Sequence, residues 1–372
     1  MTTEKIQLPA GVPPLYTYYV YMTGGCNLAC RHCWLSPIYQ PNGTTGGHLD
    51  YDLFTLAIEE GIPLGLQGVK LTGGEPLLHP EFVRMVDFLV EKGMHLNIET
   101  NGTLMTAELA HHLKASGILG ATNISVSIDG ATAASHDSFR GVKGSFERAC
   151  QGMRYLSEAG FYPQIIMSLH AGNVDEIEDL VRMAEKLGAG SVKFNLIQAS
   201  GRGETMIERN QTLGIQRLIE VGRWVERDLQ KRTEINLFYS WPMAFQSLKR
   251  LQDGNSGICG IKSILGILPD GQLAMCGIGE EIPELCYGRL GKTPLADVWI
   301  NNPLLIELRR KLPADLEGVC AQCFFKLNCL ASCVAQNYRA AGSLTADFWF
   351  CHESYVEGLF PTTRLISTPE FK

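Results

Sequence analysis

The first two hundred residues predict a parallel α/β domain, and three observations carry that reading. Short apolar segments of strand length alternate with segments of helical spacing. About six such strands occur between residues 15 and 200, and the turns that follow them are polar and rich in glycine.

Thr17 to Met22 (TYYVYM) is the leading strand, and Gly68 to Thr72 (GVKLT) the second. Phe82, Met85, Val86 and Leu89 then fall at helical spacing, after which Leu96, Ile98 and Thr100 alternate as a strand does. Asn123 to Ile128 (NISVSI) and Gln164 to Leu169 (QIIMSL) are the next strands. A helix follows, with Asn173 as N-cap and Glu176 three residues on. Ile177, Leu180, Val181 and Ala184 share one face, and Gly188 is the stop. Ser191 to Ile197 (SVKFNLI) is the sixth strand. Parallel sheets carry ligands at the carboxyl ends of their strands. Cysteines 26, 30 and 33 follow the first strand, Gly73-Gly74-Glu75-Pro76 the second, Thr100-Asn101-Gly102 the third and Asp129-Gly130 the fourth. The site is therefore expected on that face.

Composition narrows the class. A net charge of -7 argues against a protein that grips a nucleic-acid backbone. No apolar run approaches membrane-spanning length, and the N-terminus has no basic segment followed by an apolar one, so a cytoplasmic protein is expected. Twelve cysteines in such a chain point to metal rather than to disulfides. The triplet Cys26, Cys30 and Cys33 admits three readings. One is zinc completed by His32 or His48, although Cys-x₃-Cys-x₂-Cys is not the paired spacing of structural zinc. Another is a four-iron cluster that leaves one iron open to a further ligand, and the third is burial in the core. Cys150, in a helical pattern with Phe146 and Met153, reads as core.

Cys26-x₃-Cys30-x-His32-Cys33, with an aromatic ring before the last cysteine, resembles the cluster motif of the radical S-adenosylmethionine superfamily. The resemblance implies that the open iron is chelated by the amine and carboxylate of S-adenosylmethionine. Gly73, Gly74, Glu75 and Pro76 resemble the turn that receives the methionine amine. Asn101, Ser127, Asp129 and Arg140 resemble segments that contact ribose, carboxylate or adenine; Arg140 has a planar fork suited to a carboxylate, but equally reads as a solvated loop residue. Asp129 equally reads as a turn-shaping residue.

The second cysteine group is Cys259-x₁₁-Gly271-x₄-Cys276, then Cys320-x₂-Cys323-x₅-Cys329-x₃-Cys333, then Cys351 after seventeen more residues. It resembles the SPASM extension of radical enzymes that modify peptides and proteins; paired zinc sites are the alternative for Cys320 to Cys333. The resemblance implies two auxiliary [4Fe-4S] clusters, one on Cys320, Cys323, Cys329 and Cys351, the other on Cys259, Cys276 and Cys333. Cys286 is the candidate for the missing fourth thiolate there. The implied architecture is a partial parallel (β/α)6 barrel over residues 1–200, a helical linker region over 201–255 and a small cysteine-rich SPASM domain over 256–372. In related enzymes that oxidise a sulfatase side chain, an aspartate base follows the second of these cysteines. Here Gly277 stands there, with Glu280 or Glu281 as substitutes.

The activity implied is modification of a ribosomally synthesised precursor peptide through a 5'-deoxyadenosyl radical. Thioether or carbon–carbon crosslinking, epimerisation and excision of a tyrosine-derived fragment all fit, as an oxidoreductase or lyase, and no residue is assigned as catalytic. The alternatives are radical chemistry on a small molecule such as a haem precursor, sulfatase-type oxidation, and a non-catalytic electron carrier. The glycine-rich Glu75 turn speaks against the last. Implied partners are the peptide, a low-potential flavodoxin- or ferredoxin-type electron donor, and a separate leader-peptide-binding protein. The last is expected because the leading strand begins near Thr17 and only 21 residues follow Cys351. Neither nucleic acid nor membrane is expected.

Overall fold

Among the described residues, eight parallel strands and a terminal hairpin form one continuous sheet. The computed structural model describes residues 6–41, 46–118, 123–252, 254 and 259–366. The strands are β1 (Thr17–Tyr21), β2 (Gly68–Thr72), β3 (His95–Thr100), β4 (Asn123–Ser127), β5 (Gln164–Leu169) and β6 (Ser191–Leu196). They continue with β7 (Asn236–Tyr239), β8 (Ile264–Ile267), β9 (Gln272–Ala274) and β10 (Cys286–Arg289). Their spatial order is β10, β9, β8, β1, β2, β3, β4, β5, β6, β7. From β8 to β7 every pairing is parallel, whereas β9 and β10 run antiparallel.

The six expected strands are thus all present and adjacent in order, and each flank gains a parallel neighbour. The stretch expected as a helical linker contributes β7, which pairs with β6 through Ser191 opposite Asn236. The cysteine-rich half begins with β8, which pairs with β1 through Thr17 opposite Ile264. That pairing seats Cys259 and Cys276 against the barrel wall.

Helices α1 (Tyr51–Gly61), α2 (Phe82–Glu91), α3 (Ala107–Ala115), α4 (Ala133–Arg140), α5 (Ser145–Glu158) and α6 (Ile177–Lys186) connect the parallel strands. Asp50, Thr106 and Thr132 cap α1, α3 and α4 by accepting backbone N–H groups of the first turn. One expected cap differs. The Asn173 side chain accepts from His170 N–H and donates to the carbonyls of Asp129 and Ser168, while Glu176 accepts from Ala131 N–H and Ser135. A short 3-10 turn therefore precedes α6, because both residues tie together the loops after β4 and β5.

Alternation along the strands sorts core from cavity. Val69, Leu71, Ile98, Val126, Ile165, Met167, Val192 and Phe194 are buried against the helices. The residues between them, among them Lys70, Thr72, Glu99, Ser127, Lys193 and Asn195, line the inside. Cys150 is buried on α5 within the apolar core, as its spacing implied. Among the described residues no helix is long and apolar enough to cross a membrane.

Candidate active site

The loop after β1 carries Cys26, Cys30 and Cys33 together, and the turn after β2 is strapped to it. Gly74 N–H donates to the Thr23 carbonyl at 2.8 Å and Glu75 N–H to the Gly25 carbonyl at 3.0 Å. Glycine is required here: a Cβ on Gly74 would stand 1.9 Å from the Gly25 oxygen, and Gly73 has φ +124°. Pro76 starts a short 3-10 turn behind and does not line the cavity. The Glu75 carboxylate is buried. It accepts from the Thr100 hydroxyl at 2.6 Å, Leu77 N–H at 3.1 Å and Asn101 N–H at 2.8 Å. Burial raises its pKa, against the pull of these donors.

Asn101 donates to the Asn27 side chain at 2.8 Å, and the same amide nitrogen stands 3.9 Å from the Cys26 sulfur. Arg140, at the end of α4, is buried rather than solvated. Its Nε stands 2.6 Å from Asp129 Oδ2 and its Nη1 is 3.6 Å from the Cys30 sulfur. Asp129 also accepts from Ser168 N–H at 2.7 Å, so it orients Arg140 rather than facing the cavity. Burial alone would raise the Asp129 pKa, but the Arg140 guanidinium holds it below the usual carboxylate range. The His32 ring stacks on Phe139 at 4.4 Å between ring centres, and burial lowers its pKa to about 3, so it is neutral.

One cavity of about 430 Å³ joins this loop to the second cysteine group. Its lining includes Cys26, Cys30 and Cys33, then Gly73, Gly74, Glu75, Asn101, Ser127 and Arg140, and on the far side Cys259, Cys276 and Cys333. Electrostatic coupling ties Cys333 to both Cys259 and Cys276, and burial pushes the Cys259 thiol up to about 12. Cys286 is not brought into this set. Its thiol lies 3.5 Å from the Gly279 carbonyl and does not line the cavity. Cys320, Cys323, Cys329 and Cys351 line a separate small apolar pocket. Glu281 is held by Arg339 at 2.6 Å and by the Ser200 hydroxyl, and neither it nor Glu280 lines the cavity.

Among the described residues, no three His, Cys, Asp or Glu side chains converge as a single metal ion needs. A zinc ion draws its sulfurs to about 2.3 Å from one point, whereas a four-iron cube holds them at its corners. The first triplet suits such a cube with S-adenosylmethionine at the open corner. Its thiols are buried or half-buried, flanked by an amide and a guanidinium, beside a turn that only glycine lets approach.

Known proteins agree with this geometry. A family model described as the radical SAM superfamily matches residues 20–185, and one described as an iron–sulfur cluster-binding domain, SPASM, matches residues 259–324. This chain belongs to the radical SAM superfamily. It is a radical SAM enzyme that takes [4Fe-4S] clusters and S-adenosylmethionine as cofactors. The AdoMet-dependent heme synthase of Methanosarcina barkeri is 29% identical over 352 residues, covering 89% of this chain and 94% of that protein. The mycofactocin maturase MftC of Mycobacterium ulcerans is 27% identical over 344 residues, covering 90% and 87%. Streptococcus suis SuiB, solved bound to S-adenosylmethionine, shares the fold with a TM-score of 0.71 at 16% identity, covering 91% of this chain and 77% of that one.

Four charged cavity residues were not singled out in the sequence: Lys70, Glu99, Lys193 and Arg202. The signal for the lysines was there to be read. GVKLT and SVKFNLI each place a lysine inside an otherwise apolar parallel strand, where neither face meets bulk water.

Proposed function

We propose that this radical SAM enzyme modifies a ribosomally made precursor peptide, one side chain of which enters the cavity between the two cysteine sets. The observation that carries the reading is the continuity of that cavity: the wall suited to S-adenosylmethionine and the wall formed by Cys259, Cys276 and Cys333 face one space. When bound, the cluster and S-adenosylmethionine supply a 5'-deoxyadenosyl radical that removes a hydrogen atom. The chain's own residues bind and orient. Glu75 and the Gly73–Gly74 backbone receive the methionine amine, Arg140 is fixed by Asp129 towards a carboxylate, and Ser127 and Asn101 line the nucleoside side. Cys26, Cys30 and Cys33 hold the first cluster. Cys320, Cys323, Cys329 and Cys351 hold one auxiliary cluster, and Cys259, Cys276 and Cys333 the other.

Positioning supplies much of the rate, so a peptide must be gripped outside the cavity as well. A separate leader-binding protein and a low-potential electron donor complete the system, all in the cytoplasm. Sulfatase-type oxidation is disfavoured because Glu281 is bound to Arg339 and Gly277, not a carboxylate, directly follows Cys276. A small-molecule reading has one specific support, the length of alignment with the heme synthase. Co-expression with the short reading frames beside the gene tests both. A mass change in one peptide supports the proposal; unchanged peptides together with turnover of a tetrapyrrole acid replace it by the second reading.

A further inference from the structure

Inside the barrel, one layer below the turns that face S-adenosylmethionine, lie three charges. Lys70 on β2 pairs with Glu99 on β3 at 2.9 Å, and Glu99 also accepts from the Thr72 hydroxyl at 3.4 Å. The Tyr19 ring flanks Lys70 at 4.6 Å. Lys193 on β6 is the third charge, within electrostatic reach of both. Its register partner is Ile166, which is itself opposite Ser127. Among the described residues Lys193 makes no hydrogen bond or ion pair, although its side chain lines the cavity. Two residues on along the same face, Asn195 has its oxygen occupied by the Ser240 hydroxyl at 2.9 Å, which turns its amide N–H groups elsewhere.

Lys193 is half-buried, and its partial desolvation with the nearby Lys70 charge lowers its pKa. Glu99 relieves it only in part, because its carboxylate is already paired with Lys70 and accepts from Thr72. The layer thus carries two cations for one anion, facing the space into which a substrate must project. A single ammonium beside an amide suits a monoanion. Phosphate is usually met by an arginine fork or a run of backbone N–H groups, which this layer lacks among the described residues.

We propose that Lys193, with Asn195 beside it and the Lys70–Glu99 pair behind it, docks a carboxylate of the substrate. The carboxylate belongs to a peptide, as its C-terminus or an acidic side chain, or to a small organic acid. Seated there, it places the neighbouring carbon between β6 and the turns after β2 and β3. This deepens the proposed function and rests on its claim that substrate enters this cavity.

The test is binding to the anaerobically reconstituted full chain with S-adenosylmethionine present, by calorimetry or ligand-observed magnetic resonance. The probes are N-acetylglycylglycine and its amide, and glutarate and glutaramide. At least one acid is expected to bind about tenfold or more tightly than its amide. Lys193→Met is expected to bring that pair to parity, and Lys193→Arg to keep the preference. The Lys193→Met protein is also expected to melt higher, since it sheds an unpaired charge, which a structural lysine would not do. Equal binding of acid and amide by the natural chain overturns the proposal, as does an acid preference that survives Lys193→Met. A preference confined to the dipeptide acid assigns the carboxylate to a peptide. A Lys193-dependent preference confined to glutarate keeps the docking site and assigns the carboxylate to an acidic side chain or a small organic acid rather than to a peptide C-terminus; the peptide reading itself fails separately, on unchanged peptides in the co-expression.

Discussion

Replacing Gly74 by alanine isolates the role of the turn after β2. The new Cβ would lie 1.9 Å from the Gly25 carbonyl oxygen, short by about 1.1 Å of the 3.0 Å that such contacts keep. Neither partner yields easily, because both are backbone and Gly74 and Glu75 are hydrogen-bonded to this loop. Overpacking of this kind destabilises by about 1–3 kcal/mol. The larger effect is positional: moving a binding turn by about 1 Å lowers rate about a hundredfold. Gly214→Ala is the control, since Gly214 has φ -68° and nothing within 4 Å of an added Cβ. The assay is 5'-deoxyadenosine formation under dithionite, beside iron content and S-adenosylmethionine affinity. The expected result is a loss of about two orders of magnitude with auxiliary clusters intact. A Gly74→Ala enzyme as active as Gly214→Ala would refute the reasoning.

Three further outcomes follow from the same geometry. Asp129→Asn leaves the buried Arg140 unpaired and is expected to cost about 3–5 kcal/mol in denaturant unfolding. A loss below about 1 kcal/mol contradicts the pairing. The Asp129 pKa is depressed in the folded state, so this contribution is fully present above the unfolded value near 4 and fades only as pH falls through the folded one. His136 is fully buried, with its pKa lowered by burial to about 4, so the unfolded chain binds the proton first. Stability should fall by about 1.4 kcal/mol per unit as pH drops from about 6.5 towards 4, and His136→Asn should flatten that slope in pH-dependent melts. Cys286→Ala should leave iron content near the roughly twelve per chain of three four-iron clusters, whereas Cys333→Ala should lose about one cluster; equal iron loss in both would make Cys286 a ligand.

The parallel order of β1 to β6 was legible because each strand is a short apolar run closed by a polar turn. The motifs after β1 and β2 were legible for a different reason: ligand spacing survives as spacing in the sequence. The helix before Gly188 was misread at its start because Asn173 and Glu176 resemble a local cap, and only the fold shows them tying β4 to β5. Arg140 read equally as a fork for a carboxylate and as a solvated loop residue, since its partner Asp129 lies eleven positions away across a strand end. The strand Asn236–Tyr239 is only four residues long, and no periodicity marks so short a segment. Cys286 was placed near Cys276 by chain distance. The β9–β10 pairing puts Cys286 opposite Ala274, with its thiol turned to the Gly279 carbonyl and outside the cavity that Cys259, Cys276 and Cys333 line.

The central claim is that a hydrogen atom leaves a peptide inside the cavity between Cys30 and Cys276. The direct measurement uses the peptide that the co-expression picks out, uniformly deuterated, with the reconstituted enzyme, a low-potential electron donor and unlabelled S-adenosylmethionine. Mass spectrometry of the 5'-deoxyadenosine should show one deuterium, in step with modification of the peptide. Unlabelled 5'-deoxyadenosine beside an altered peptide would contradict the account.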